Sequence, residues 1–321
     1  MGKGVIPDSH PLNVSAARST ALKEADLVIL LGARLNWILH FGLPPRFNKD
    51  VKMIQVDVSP EEIGHNVEAQ ARLVGDMKLA VCELDKAIKG KVQCADWIQK
   101  LTEKSNKNKE LNKQLMADPV VPMTYYSSYD VIKKFMPAET ILVGEGANTM
   151  DIGRTVFEHE LPRRKLDAAT FGTMGIGLAA LTSARSCHPE LWGVAVMGDS
   201  AFGFSGLECE TLTRYKLGGV IFIINNNGIY SGTEALEGEP EGYGVTHLNP
   251  DAQYQLVAQA FGGRGFEVKN KQELAKVCEE IFASPDNKFK LWVVNVRIQP
   301  DSSKKPQENE WLTRKTPAPK I

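Results

Sequence analysis

Residues 194–230, VAVMGDSAFGFSGLECETLTRYKLGGVIFIINNNGIY, constrain the fold more than any other stretch. A first apolar run ends in Gly198-Asp199-Ser200, and a second ends in Asn225-Asn226-Asn227-Gly228. Asp199 and Asn226 stand 27 positions apart, enough for one crossover between two parallel strands. Parallel strands are buried on both faces and read as unbroken apolar runs. A carboxylate and an amide delivered from the ends of two such strands suit one hard cation held between two loops.

The rest of the chain alternates in the same way. Residues 25–32 (ADLVILLG) and 51–58 (VKMIQVDV) read as buried parallel strands, and 72–76 as a short third. Residues 77–89 read as an amphipathic helix with Leu79, Cys82, Leu84 and Ile88 turned inward. A charged helix or linker follows, broken by Asp118-Pro119-Val120-Val121-Pro122. Beyond it, strands are expected at 140–146, 191–198, 219–225, 265–268 and 289–298. Helices are expected at 125–135, from the glycines of 171–177 through about Ser186, and at 206–215, 251–261 and 272–282. The class is therefore α/β with two open parallel-sheet domains. The first, residues 1–92, reads as part of an open Rossmann-like sheet with room for a nucleotide beyond its strand ends. Residues 93–122 form a linker helix, 123–300 the second domain, and 301–321 a mobile tail. The acidic, Gly-rich segment 231–245 reads as a flexible active-site loop.

Composition excludes some partners. The 38 basic and 39 acidic residues leave a net charge of −1, which argues against a nucleic-acid or anionic-membrane surface. No apolar run approaches the roughly 20 residues of a membrane span. The five cysteines lie far apart in no CxxC pattern and read as reduced, buried thiols. The six histidines show no metal-ligand spacing.

Mg²⁺ wants near-octahedral oxygen ligation, usually completed by phosphates and water. Asp199 offers a carboxylate, Asn226 an amide oxygen and Gly228 a backbone carbonyl. Backbone N–H groups of Ser200, Ala201 and Phe202 are placed to hold phosphate oxygens. A metal–diphosphate site is the reading for both strand ends together. In the first domain, Asp57 at a strand end either binds a ribose or caps the helix expected after Pro60, and Arg34 either binds a nucleotide or is a solvated loop residue. The glycines of 171–177 serve either a close ligand approach or tight helix packing.

The spacing of GDS and NNN resembles the diphosphate motif of thiamine diphosphate enzymes. The segments GARLNWILHFG, IQVDVSPEEIGHN, GEGANTMDIGR, KLDAATFGTMGIGLA, GDSAFGFSGLECETLTRY and NNGIYSG are similar to the 2-hydroxyacyl-CoA lyases, with oxalyl-CoA decarboxylase the nearest relative. The resemblance implies that 123–300 is a thiamine diphosphate-binding domain with Asp199, Asn226 and the Gly228 carbonyl on Mg²⁺. It implies cofactor contacts at Gly146, Ala147, Asn148, Gly172, Thr173, Met174, Gly198, Ser200, Ala201, Asn226 and Ile229. Met174 would sit under the thiazolium ring, and Tyr230 either faces substrate or packs. Arg34 and Asp57 would bind the ADP group of CoA, or ADP itself.

The implied reaction is carbon–carbon cleavage of a 2-hydroxyacyl-CoA to formyl-CoA and an aldehyde one carbon shorter, as in fatty acid α-oxidation. A homo-oligomer, dimer or tetramer, is implied. The compartment implied is the peroxisome, although the C-terminal Pro319-Lys320-Ile321 does not match a tripeptide signal; the cytosol is the other candidate. Full-length members carry an N-terminal pyrimidine domain whose glutamate activates the cofactor. The chain begins inside the central domain, so these residues alone are expected to bind cofactor without turnover. The alternatives are an oxalyl-CoA decarboxylase-like enzyme and a non-catalytic dimerisation or regulatory module. Ala169 stands where the family commonly has glycine.

Overall fold

The computed structural model describes residues 2–88, 90, 94–230 and 244–300. The segment 231–243, which holds most of the expected active-site loop, and the expected tail 301–321 lie outside the described residues. The chain divides into two compact units, Asp8–Leu111 and Met1–Pro7 with Asn112–Ile321.

The smaller unit contains helix α1 (Arg18–Glu24), strands β1 (Leu27–Leu31), β2 (Lys52–Asp57) and β3 (Ala71–Val74), and helix α2 (Met77–Ile88). The 23-residue helix α3 (Ala95–Ala117) follows, and the division between units falls within it. The three strands are parallel in the order β1-β2-β3. Their core is small: Leu30, Leu35, Phe47 and Met53, with Leu22, Val28 and Val67 packed on them. Two expectations change here. The apolar β1 is not buried on both faces, because Leu27, Ile29 and Leu31 are 46%, 42% and 45% exposed. Of the strand only Leu30 is buried in the core, with Val28 packed partly against it. In α2 the inward face is built on Ala80, and Leu79 (67% exposed), Cys82 and Ile88 point outward. Met77, Ala80 and Leu84 follow the 3–4 spacing of one helical stripe, and that stripe is the one the core takes up.

The larger unit is a three-layer α/β structure. Its elements are α4 (Tyr125–Phe135), β4 (Thr140–Glu145), α5 (Ala147–Val156), β5 (Lys165–Asp167), α6 (Ile176–Cys187), β6 (Trp192–Gly198), α7 (Asp199–Ser205) and α8 (Cys209–Arg214). They continue with β7 (Gly219–Asn225), α9 (Gln255–Ala260), β8 (Arg264–Val268), α10 (Lys271–Phe282) and β9 (Leu291–Arg297). The six parallel strands run in the order β5-β4-β6-β7-β9-β8. Alternate residues of each central strand serve opposite cores. Val194, Val196, Val220, Phe222 and Ile224 join Tyr126, Tyr129, Ile132 and Leu274 of α4 and α10 on one face. Ala195, Met197, Ile221 and Ile223 join Leu178, Leu181, Ala201 and Leu212 on the other. Burying a side chain of this kind contributes roughly 1.5–3 kcal/mol, and both faces of β6 and β7 are covered.

Helix α4 opens on a reciprocal cap, with Thr124 Oγ1 accepting from Ser127 N and Ser127 Oγ accepting from Thr124 N. The crossover between β6 and β7 is not the single helix expected at 206–215. It is α7, a 3-10 turn at Gly206–Glu208, and α8. Helix α5 and strand β5 escaped the sequence reading. Three of the five cysteines, Cys82, Cys94 and Cys187, are exposed rather than buried. Burial pushes the thiols of Cys209 and Cys278 up to about 12, so those two are inert.

Candidate metal–diphosphate site

The strand order places a crevice where the fold reverses direction. From β4 the chain steps outward to β5 and then returns to β6 on the opposite side of β4. Ligands of open parallel sheets bind beyond the carboxyl ends of the strands at such a point. There β4 ends in Glu145-Gly146, β6 in Gly198-Asp199 and β7 in Asn225-Asn226. Gly146 has φ +102, and a Cβ on it would lie 3.4 Å from the backbone nitrogen of Gly198. The two strand ends therefore approach at a position whose backbone suits glycine.

Asp199 is 1% exposed and opens α7. Its Oδ1 accepts from Ser200 N at 2.7 Å and its Oδ2 from Gly228 N at 3.1 Å. Among the described residues no lysine or arginine pairs with it. Burial raises its carboxyl to about 6, against the pull of the backbone N–H groups of Ser200, Gly228 and Asn227. A buried carboxylate without a counter-charge is costly, and a bound cation removes that cost. Asn226 is 3% exposed, and its Nδ2 donates to the Tyr230 carbonyl at 3.2 Å. That bond leaves the amide oxygen as the end offered to a cation. Asn148, at the start of α5, donates to the same carbonyl at 3.0 Å. The start of α5 and the 225–230 loop are thereby joined. A cavity of about 280 Å³ lined by Asp199, Ser200, Gly203, Phe204, Leu248 and Tyr254 opens beside the carboxylate.

The donor set is one carboxylate, one amide and backbone carbonyls. Among the described residues no cluster of three His, Cys, Asp or Glu side chains could hold a metal. Oxygen donors without imidazole or thiolate suit a hard ion such as Mg²⁺ and not zinc. The residues present fit a Mg²⁺-bound diphosphate on this observation.

The loop between β5 and α6 carries Gly172, Thr173 and Met174. Met174 is 38% exposed and Phe171 is 95% exposed. Two carboxylates fix this loop, and neither was assigned from sequence. Glu145 is fully buried, with its carboxylate accepting from the N–H groups of Gly175 and, at 2.6 Å, Gly177. It caps the start of α6 in the manner of an anion at a helix N-terminus. Burial raises its carboxyl above the usual range while the two N–H groups pull it down. A Cβ at Gly177 would collide with that carboxylate. Asp167 accepts from Ala169 N at 2.9 Å and is held by Arg154 Nη2 at 3.0 Å. Ala169 itself has φ +48, a left-handed conformation that suits glycine.

The run of three asparagines is divided among different tasks. Asn225 faces backward, where its Nδ2 donates to Asn295 Oδ1 at 3.0 Å. Asn227 accepts from Arg297 Nη1 at 2.8 Å. Only Asn226 was nominated from sequence; the polar Asn295 and Arg297 inside an otherwise apolar strand were the available signal for the rest. Ile229 N donates to Thr246 O at 2.8 Å, and Tyr230 is 53% exposed.

Within the smaller unit, Asp57 and Arg34 have local partners. Asp57 Oδ1 accepts from Ser59 N at 3.0 Å, the turn-capping arrangement. Arg34 Nε lies 3.2 Å from Glu62 Oε1 with its side chain 64% exposed. No helix among the described residues is long and apolar enough to cross a membrane.

The family model for the thiamine pyrophosphate enzyme central domain matches residues 1–84. The model for the C-terminal TPP binding domain of the same enzymes matches residues 144–295. The chain is 44% identical over 330 aligned positions to 2-hydroxyacyl-CoA lyase 1 of Homo sapiens, covering 98% of this chain and 57% of that protein. It is 40% identical to the 2-hydroxyacyl-CoA lyase of Saccharomyces cerevisiae, covering 95% of this chain and 55% of that one. It is 35% identical to the oxalyl-CoA decarboxylase of Escherichia coli, with 94% and 53% covered. The chain thus spans about half the length of the curated relatives it matches. Among solved structures, benzoylformate decarboxylase from Polynucleobacter necessarius superposes with a TM-score of 0.66 at 19% identity, over 90% of this chain and 52% of that chain, which shows a common fold. With both domain models matched in order, and with relatives above 40% identity over nearly all of its length, the chain belongs to the thiamine pyrophosphate enzymes.

Proposed function

We propose that this chain binds thiamine diphosphate through Mg²⁺ and serves the cleavage of a 2-hydroxyacyl-CoA into formyl-CoA and an aldehyde one carbon shorter. The observation that carries the cofactor reading is the buried Asp199 carboxylate, set between two strand ends with no lysine or arginine paired to it among the described residues. Asp199, the Asn226 amide oxygen and the Gly228 carbonyl hold the cation. Gly146, Ala147, Asn148, Gly198, Ser200 and Ala201 line the diphosphate. Gly172, Thr173 and Met174 support the ring end, held in place through Glu145 and Asp167. Ile229 and the exposed Tyr230 border the cofactor on the substrate side. The bound cofactor supplies an electron sink for the carbon–carbon bond; the residues named here bind and orient it. Similarity to the lyases above 40% identity favours a 2-hydroxyacyl-CoA over oxalyl-CoA as substrate. Asp57 and Arg34 are assigned to the ADP end of CoA, and a homo-oligomer is the working form.

Titration calorimetry of thiamine diphosphate with and without MgCl₂ tests the cofactor reading. Metal-dependent binding that is lost in Asp199→Ala is the expected result; binding indifferent to both sinks it. Product analysis tests the chemistry. Formyl-CoA together with an aldehyde supports the lyase, whereas carbon dioxide released from oxalyl-CoA in preference to any 2-hydroxyacyl-CoA replaces it with a decarboxylase.

A further inference from the structure

We propose that Arg297 is a positioning residue for the cation site, bracing the 225–230 loop from the end of the neighbouring strand β9. The inference rests on the cation reading above. Arg297 closes β9 and stands beside Asn225 of β7 in the strand register. Its side chain is only 18% exposed, and each arm of its fork has a different partner. Nη1 donates to Asn227 Oδ1 at 2.8 Å, Nη2 to the Pro250 carbonyl at 2.6 Å, and Nε to Glu267 Oε2 at 3.2 Å. A purely structural ion pair needs only Glu267. The other two arms reach two backbone segments that flank the proposed site.

Those two segments are also joined to each other. Leu248 N donates to Asn227 O at 2.9 Å and Ile229 N to Thr246 O at 2.8 Å. Asn227 lies between the two proposed ligands, Asn226 and the Gly228 carbonyl, and adopts φ +60. Rotation of its backbone moves both ligands at once. Its N–H is held by Asn225 Oδ1 at 3.0 Å, and its side chain by Arg297. Behind it the bonds continue through buried groups. Asn225 donates to Asn295, and Asn295 donates to Gln255 Oε1 at 3.2 Å and Glu267 Oε2 at 3.4 Å. Asn225 and Asn295 are 1% and 0% exposed. Glu267 closes the circuit by accepting from both Asn295 and Arg297. A connected buried network of this kind is rigid when its members are satisfied. A lysine cannot reproduce the planar fork that reaches three acceptors.

The experiment uses the 321-residue chain with Arg297→Lys, Arg297→Met, Asn227→Ala and the Arg297→Met/Asn227→Ala pair. Mg²⁺ is titrated calorimetrically in the presence of saturating thiamine diphosphate. Hydrogen exchange of peptides covering 225–230 and 244–250 is followed without metal. Partners behind a metal ligand typically change affinity ~10–100-fold. Both Arg297 variants should weaken Mg²⁺ binding on that scale and speed exchange selectively in the two segments. The double variant should bind Mg²⁺ no more weakly than its weaker single parent, because the side-chain bond that Asn227→Ala removes is one that Arg297→Met has already broken. Unchanged Mg²⁺ affinity in Arg297→Met overturns the proposal. So does exchange accelerated equally across β7, β8 and β9, which marks a general stabilising residue. A parent chain that takes up no Mg²⁺ defeats the cation reading and the role of the brace with it, while the exchange data still decide whether Arg297 holds the loop.

Discussion

Two strand-end aspartates, Asp57 and Asp199, look alike in sequence and differ in surroundings. Asp57 closes β2 ahead of a 3-10 turn, and Asp199 directly follows β6 and opens α7. Asp57 is half-buried, with its carboxylate engaged by the following turn at Ser59. Its neighbour Arg34 is largely exposed and paired with Glu62. Asp199 is buried, and groups from three strand ends converge around it. The sheets behind them differ in the same sense. The three-stranded sheet leaves Leu27, Ile29 and Leu31 exposed, while every residue of β7 is buried. A strand end can hold a charge away from solvent only where the sheet under it is covered on both faces.

The largest test of that contrast is a matched truncation. Phe222→Ala in β7 removes a fully buried ring and should cost about 3–5 kcal/mol in urea unfolding. Ile29→Ala in β1 starts from a side chain already 42% exposed and should cost under about 1 kcal/mol. Equal costs would erase the difference between the sheets.

The second test is pH. The Asp199 carboxyl sits at about 6 in the folded chain against 3.8 as a model group. Folding therefore favours the protonated acid. In the metal-free chain this contribution is fully present below about pH 4 and is lost as pH rises through about 6, a change of about 3 kcal/mol at most. Denaturation curves at pH 4.5 and 7.5 measure it once Asp199→Asn is used to subtract other groups. Mg²⁺ with thiamine diphosphate should restore stability selectively at the higher pH.

Ligand binding comes third. Asp199→Ala should weaken Mg²⁺-dependent cofactor binding at least ~100-fold, about 2.8 kcal/mol. Asp57→Ala should leave it within about twofold while weakening CoA or ADP. A shared loss would mean that Asp57 acts by holding the fold.

The smallest effect compares two left-handed residues. Ala169 has no side-chain bond to justify φ +48, whereas Asn66 at φ +68 donates its Nδ2 to the Leu35 carbonyl at 2.8 Å. Ala169→Gly should stabilise by about 0.5–1 kcal/mol by relieving the crowded Cβ. Asn66→Gly should destabilise by about 1 kcal/mol through the lost hydrogen bond. Paired thermal melts check both signs.

What the residues alone decided is every strand but β5 and the strand-end position of the candidate ligands. Apolar runs such as 219–225 commit to buried parallel strands because their residues have no other favourable place. The glycines and the Asp and Asn residues that end them are forced to the strand tips. The α/β class followed from that alternation, and helix α5 and strand β5 did not, since their polar residues make contacts distant in sequence. Tertiary structure alone decided which ends converge. The sheet order sets β4 beside β6, so Gly146 approaches Gly198, and Asn148 shares the Tyr230 carbonyl with Asn226 across the sequence. The sidedness of β9 aims Arg297 at Asn227, 70 residues away. Such pairings depend on strand order and register, which a local pattern of residues does not encode.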